Sequence, residues 1–132
     1  MKKIAFLIII SSIFLFSACS EYEIIDSKPG ESIDPVTNLN HSISGSQASI
    51  TWDLPSSYPN DVIEPVSVYI IIKRNGQNAG TRTLDNAPES FTYDGYDPSS
   101  TYKFTVKVKA AIQVESKNFS NLRYSPGVTI EF

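Results

Sequence analysis

Among the side chains that most often carry covalent, proton-transfer or metal chemistry, cysteine and histidine occur once each, as Cys19 and His41. A zinc site draws on several Cys, His or carboxylate ligands at short spacing, and no second thiol or imidazole is present to build one. General acid–base catalysis needs groups of matched pKa within mutual reach. His41 lies between Asn40 and Ser42 on the predicted first strand, where it reads as a surface or edge residue rather than a base. None of the serines stands on the strand-to-helix elbow that activates a nucleophile, and no glycine-rich phosphate loop opens a helix. Tyr93-Asp94-Gly95-Tyr96-Asp97 sets two carboxylates beside a glycine. Calcium asks for six to eight oxygen ligands, so this stretch reads as a turn. The expectation is a protein without catalytic residues, metal or cofactor.

Cys19 remains to be explained. Lys2 and Lys3 precede a mainly apolar run from Ile4 to Phe16, and the small residues Ser17 and Ala18 stand before the cysteine. This order of charged, apolar and small residues is that of a secretory leader. The run is shorter than the roughly 20 apolar residues of a membrane-spanning helix and ends against Glu21 and Glu23. Phe16-Ser17-Ala18-Cys19 resembles a bacterial lipobox, with Phe16 where leucine is usual. The resemblance implies cleavage before Cys19 and lipid on its sulfur and its new amine, more than one chain being needed for stable anchoring. Residues 1–18 would then be the signal peptide, and Cys19 the lipidation site. Ser20 resembles an outer-membrane sorting signal, and Glu21 and Glu23 resemble signals that export lipoproteins to the cell surface. Such a protein gives no reason to expect glycosylation at Asn118-Phe119-Ser120, although the acceptor pattern is present.

Loss of Lys2 and Lys3 with the leader lowers the Lys+Arg count from 11 to 9 against 14 acidic residues, a net charge of −5. Nucleic acid is a poor partner for that balance, since phosphate contacts demand basic patches. From Ser20 to Asp34 the sequence SEYEIIDSKPGESID has no sustained period. Residues 19–33 are therefore expected to form a flexible tether. About 15 extended residues reach roughly 50 Å.

The pattern changes at Pro35. Ala48, Ile50 and Trp52 alternate with Ser49, Thr51 and Asp53, predicting a strand with one apolar face. Val66 to Arg74 is a longer β-branched run closed by Asn75-Gly76, a strong hairpin signal. Phe91 and Tyr93 mark a short strand. Tyr102, Phe104, Val106 and Val108 alternate with Lys103, Thr105, Lys107 and Lys109, and Val128, Ile130 and Phe132 end the chain in the same way. Short alternating runs between turns predict an all-β fold.

Pro35-Val36-Thr37-Asn38-Leu39, Ile50-Thr51-Trp52-Asp53 and Tyr102-Lys103-Phe104-Thr105-Val106, in this order and spacing, resemble a fibronectin type III domain over residues 34–132. The resemblance implies a seven-stranded antiparallel sandwich of two sheets. In it Trp52 packs centrally, and the hydroxyl of Tyr102 bonds upstream backbone at a corner. Tyr96 stands where many relatives have a leucine.

Two candidate binding surfaces follow. The resemblance makes the strands Val66 to Arg74 and Tyr102 to Lys109 neighbours, so their outward residues Tyr69, Ile71 and Lys73 would share a face with Lys103, Lys107 and Lys109. This would be a basic face with aromatic and aliphatic patches on an acidic protein. The second surface is a loop cluster, with Tyr58 in Pro55 to Asp61 and Phe119, Arg123 and Tyr124 in Asn118 to Tyr124. Aromatics mixed with Ser and Asn suit recognition loops. In the fibronectin topology the tether enters at the end where these two loops cluster. Ser44-Gly45-Ser46, Asn75-Gly76 and Gly95 to Ser100 would point away from the membrane. The expected function is that of a non-catalytic, lipid-anchored outer-membrane protein, serving as a protein-interaction or spacer module. The alternative is a glycan-binding accessory lipoprotein that stacks sugars on exposed tyrosines.

Overall fold

The strongest alternating run of the sequence is the central strand of the molecule. In β7 (Tyr102–Ile112), Tyr102, Phe104, Val106, Val108, Ala110 and Ile112 are buried while the intervening residues face outward. A computed structural model describes residues 25–132, and within them the chain is all-β. β4 (Val62–Arg74) lies antiparallel to β7, pairing Ile70 with Val106 and Ile72 with Phe104, and buries Val66, Val68, Ile70 and Ile72. It begins earlier than the β-branched run alone suggests. The register shifts between Ile63 and Ser67, where Pro65 has no N–H to give to the ladder.

Asn75 (φ 51°) and Gly76 (φ 78°) turn β4 into β5 (Gln77–Leu84), as an Asn-Gly pair favours. The last strand of this sheet is broken into β9 (Leu122–Tyr124) and β10 (Val128–Glu131), both antiparallel to β7. Ser125, buried between them, bridges the break. Its N–H donates to the Val108 carbonyl, and its Oγ accepts the Val108 N–H, each at 2.9 Å. The facing sheet orders β2 (Thr37–Ser44), β3 (Gln47–Asp53) and β6 (Ser90–Asp94). With β9 and β10 counted as one interrupted strand, this is the expected seven-stranded antiparallel sandwich.

The core lies between the sheets. Ala48, Ile50 and Trp52 of β3 meet the buried rows of β4 and β7. Trp52 is 2% exposed, and its Nε1–H donates to the Pro88 carbonyl at 2.9 Å. At the far end of β7, Tyr93, Tyr96, Phe104 and Phe132 surround Tyr102 with ring centroids 5.3–6.4 Å from it. The Tyr102 hydroxyl accepts the N–H of Asp97 at 3.2 Å.

The leader and Cys19 lie outside the described residues. The described part of the expected tether departs from expectation, because it is built into the domain. β1 (Asp26–Ser27) pairs in parallel with β8 (Phe119–Ser120), and Ile33 is fully buried. A polar segment without periodicity gave no sign of docking, because its partners are distant in the chain: the Asn118 carbonyl accepts from the Asp26 N–H at 3.1 Å, and the Gln113 carbonyl accepts from Lys28 Nζ at 2.7 Å.

Candidate functional site

Cross-strand pairing assembles the outward rows of the larger sheet. Lys73 faces Lys103, Ile71 faces Thr105, Tyr69 faces Lys107, and Ser67 faces Lys109. On the other side of β7, Lys109 faces Tyr124. Partners directly opposite in an antiparallel pair project to the same side, so six of the ten predicted residues, Tyr69, Ile71, Lys73, Lys103, Lys107 and Lys109, share one face as expected. Tyr124 joins them. The sequence places it in a loop, but β9 carries it onto the sheet, where its ring meets that of Tyr69 at 5.6 Å and 72°.

The face has a further row that sequence reasoning missed. Ile63 pairs with Ala111, and Ala111 with Leu122. Ile63 and Leu122 are 46% and 40% exposed, against 42% for Tyr124. Ile63 precedes the β-branched run and Leu122 sits in a polar loop sequence, so only the register unites them. The one available signal was outward parity, since Val62 and Ile112 on either side turn inward.

The electrostatics of the face are uneven. Lys103 Nζ is 2.8 Å from Glu131. Lys107 and Lys109 have no carboxylate within ion-pair distance among the described residues. Both residues are half-buried.

Three predicted residues fall elsewhere. Tyr58 is half-buried against the core, and burial, followed by the charges of Glu64 and Glu89, raises its hydroxyl pKa above 10.0. It borders an open cleft of about 430 Å³ with Glu31, Ser32, Asp34, Ser57 and Pro59. Phe119 is engaged in the β1–β8 pair. Arg123 is held by Asp61, its Nη1 and Nη2 donating to the two carboxylate oxygens at 2.8 and 2.9 Å. A guanidinium so engaged is poorly placed to take a ligand.

His41 stacks on Phe132, with ring centroids 4.0 Å apart and planes 8° from parallel. Its Nδ1 is buried and makes no hydrogen bond. Among the described residues no group of three His, Cys, Asp or Glu side chains is arranged to hold a metal ion. The outer face of the larger sheet carries apolar, aromatic and cationic rows.

A family model described as a domain of unknown function, DUF4945, matches residues 19–132. The chain belongs to the DUF4945 family. That match starts at Cys19 and takes in the whole sandwich, including the segment that docks on it. No curated protein matches the sequence. Among solved structures, a computer-based redesign of a β-sandwich protein is similar at 19% identity and a TM-score of 0.54, covering 76% of this chain and 88% of that chain. At that identity the likeness concerns the fold alone, and it agrees with the sandwich described above.

Proposed function

We propose that this DUF4945 chain is a non-catalytic lipoprotein of the outer membrane, exposed at the cell surface and anchored through Cys19. Its fibronectin type III-like sandwich acts as a protein-interaction or spacer module. The observation that carries the reading is the outer face of the larger sheet. Ile63, Leu122, Tyr69 and Tyr124 expose apolar surface there, and among the described residues Lys107 and Lys109 stand without carboxylate partners in an acidic chain. Apolar and aromatic groups beside uncompensated cations suit a protein surface that supplies both apolar contacts and carboxylates.

A glycan platform is the weaker reading, because Tyr69 and Tyr124 meet edge-on and offer no pair of parallel plates. The corner geometry of Tyr102 and the central Trp52 support the fibronectin-like assignment.

The test is a photo-crosslinking residue at position 124 on intact cells, with position 46 on the opposite end as control. A discrete protein adduct from position 124, lost on Lys107→Glu/Lys109→Glu, supports the reading. Equal labelling from both positions, unaffected by charge reversal, overturns it.

A further inference from the structure

The segment that leads from the anchor to the sandwich is fastened by a built set of contacts. Lys28 Nζ lies 3.4 Å from Asp61 and donates to the Gln113 carbonyl, so it ties the segment to both loops at one end of the sandwich. Those loops are themselves joined, since the Gln113 N–H donates to the Asp61 carbonyl at 2.8 Å. Arg123 grips the same carboxylate from the other side. Gly30 passes so close over Arg123 that a Cβ there would sit 2.5 Å from Nη2. Arg123 has little freedom to withdraw, because two charge-assisted bonds hold its fork. Three residues after Gly30, Ile33 is sunk in the core.

We infer that residues 26–33 are a clasp that fixes the posture of the domain on the membrane. The inference rests on the reading of Cys19 as the lipid attachment. Only residues 20–25 lie between that cysteine and the clasp, and six residues extend at most about 20 Å. A flexible tether of 15 residues would let the domain tumble. A clasped segment leaves at one end only, beside Asp61 and Asn118, and holds that end toward the bilayer. The turn at Asn75-Gly76 and the loop of Asp97 and Ser100, whose side chains bond Arg74 at the end of β4, are then presented outward. The face of Tyr69 and Tyr124 then stands side-on to the bilayer.

Height above a bilayer reads this directly. Full-length acylated protein is inserted in phosphatidylcholine vesicles that contain an acceptor-labelled lipid, with a donor dye on a single new cysteine at Lys117→Cys or Ser46→Cys. Transfer from position 117 is expected to exceed that from position 46 at least threefold. Lys28→Ala and, independently, Gly30→Ala should bring the ratio toward one while Trp52 fluorescence stays native. A ratio near one in the unaltered protein, bound to vesicles, overturns the clasp alone. Protein that does not bind vesicles at all overturns the lipid reading, and the posture with it.

Discussion

Arg123 and Asp61, 62 residues apart in the chain, meet fork to fork, with both carboxylate oxygens taken at 2.8 and 2.9 Å. The arginine hydrogen bonds hold the Asp61 carboxyl below its ordinary value of 3.8, opposed by burial and aided by the charges of Arg123 and Lys28. A depressed folded-state pKa adds stability that is present above the unfolded value and is lost as pH falls through the folded one.

Asp61→Asn is therefore expected to lower the melting temperature by a constant amount above about pH 5, where the unfolded carboxyl is already charged. The gap to the unaltered protein should close as pH falls below 3.8. Thermal melts of both proteins from pH 7 to pH 2 measure it, and a gap that widens on acidification contradicts the pairing. Asp97 is held low in the same direction, first by its hydrogen bonds from Ser99, so Asp97→Asn should show the same sign.

Tyr102→Phe keeps the ring in its aromatic cluster and removes only the oxygen that accepts the Asp97 N–H. A loss of about 1 kcal/mol is expected, the usual worth of one such bond. Trp52→Ala should cost about 3 to 5 kcal/mol, as for other large core aromatics. Urea unfolding ranks the two, and equal costs would mean that the hydroxyl is more than a single hydrogen bond.

Gly127→Ala tests how closely β10 lies against β7. An added Cβ would fall 2.6 Å from Thr105 Cγ2 and 3.1 Å from Lys107 Cε. Thr105 has little room to turn, since its Oγ1 is 2.8 Å from that of Thr129. Overpacking of this kind costs about 1 to 3 kcal/mol. Denaturant midpoints would show it, whereas an unchanged midpoint would place β10 further from the sheet.

His41→Phe should be neutral or stabilising. The ring stack on Phe132 survives, and the buried Nδ1 without a partner disappears. An unsatisfied buried polar atom costs about 1 to 3 kcal/mol. A marked loss of stability, measured by urea unfolding, would mean that this nitrogen has a partner in solution.

Tyr124→Ala with Lys107→Glu is expected to abolish the adduct from a crosslinker placed at position 69 and to change stability by no more than about 0.5 kcal/mol, as surface substitutions usually do. A large stability loss instead would make the face part of the scaffold rather than a contact surface.

The larger strands were legible because strand side chains alternate with a period of two, so inward and outward residues separate along the chain itself. Tyr102 to Lys109 and Ala48 to Asp53 each declared a buried face in this way, and Asn75-Gly76 declared its hairpin. The outward lysines and Tyr69 followed from the same parity. The row of Ile63, Ala111 and Leu122 did not, because it exists only through the register of three strands, and each residue alone looks like an ordinary edge or loop position.

By itself the sequence determined the all-β class, the presence of the main sandwich strands, the acidic balance and the inward parity of their apolar residues, all of which are local properties of alternation and composition. The tertiary structure decided that the segment from Asp26 to Ile33 belongs to the domain, that Arg123 is committed to Asp61, and that Tyr124 stands beside Tyr69. Each of these depends on contacts across long stretches of chain, and no local pattern encodes which distant groups will satisfy a polar segment.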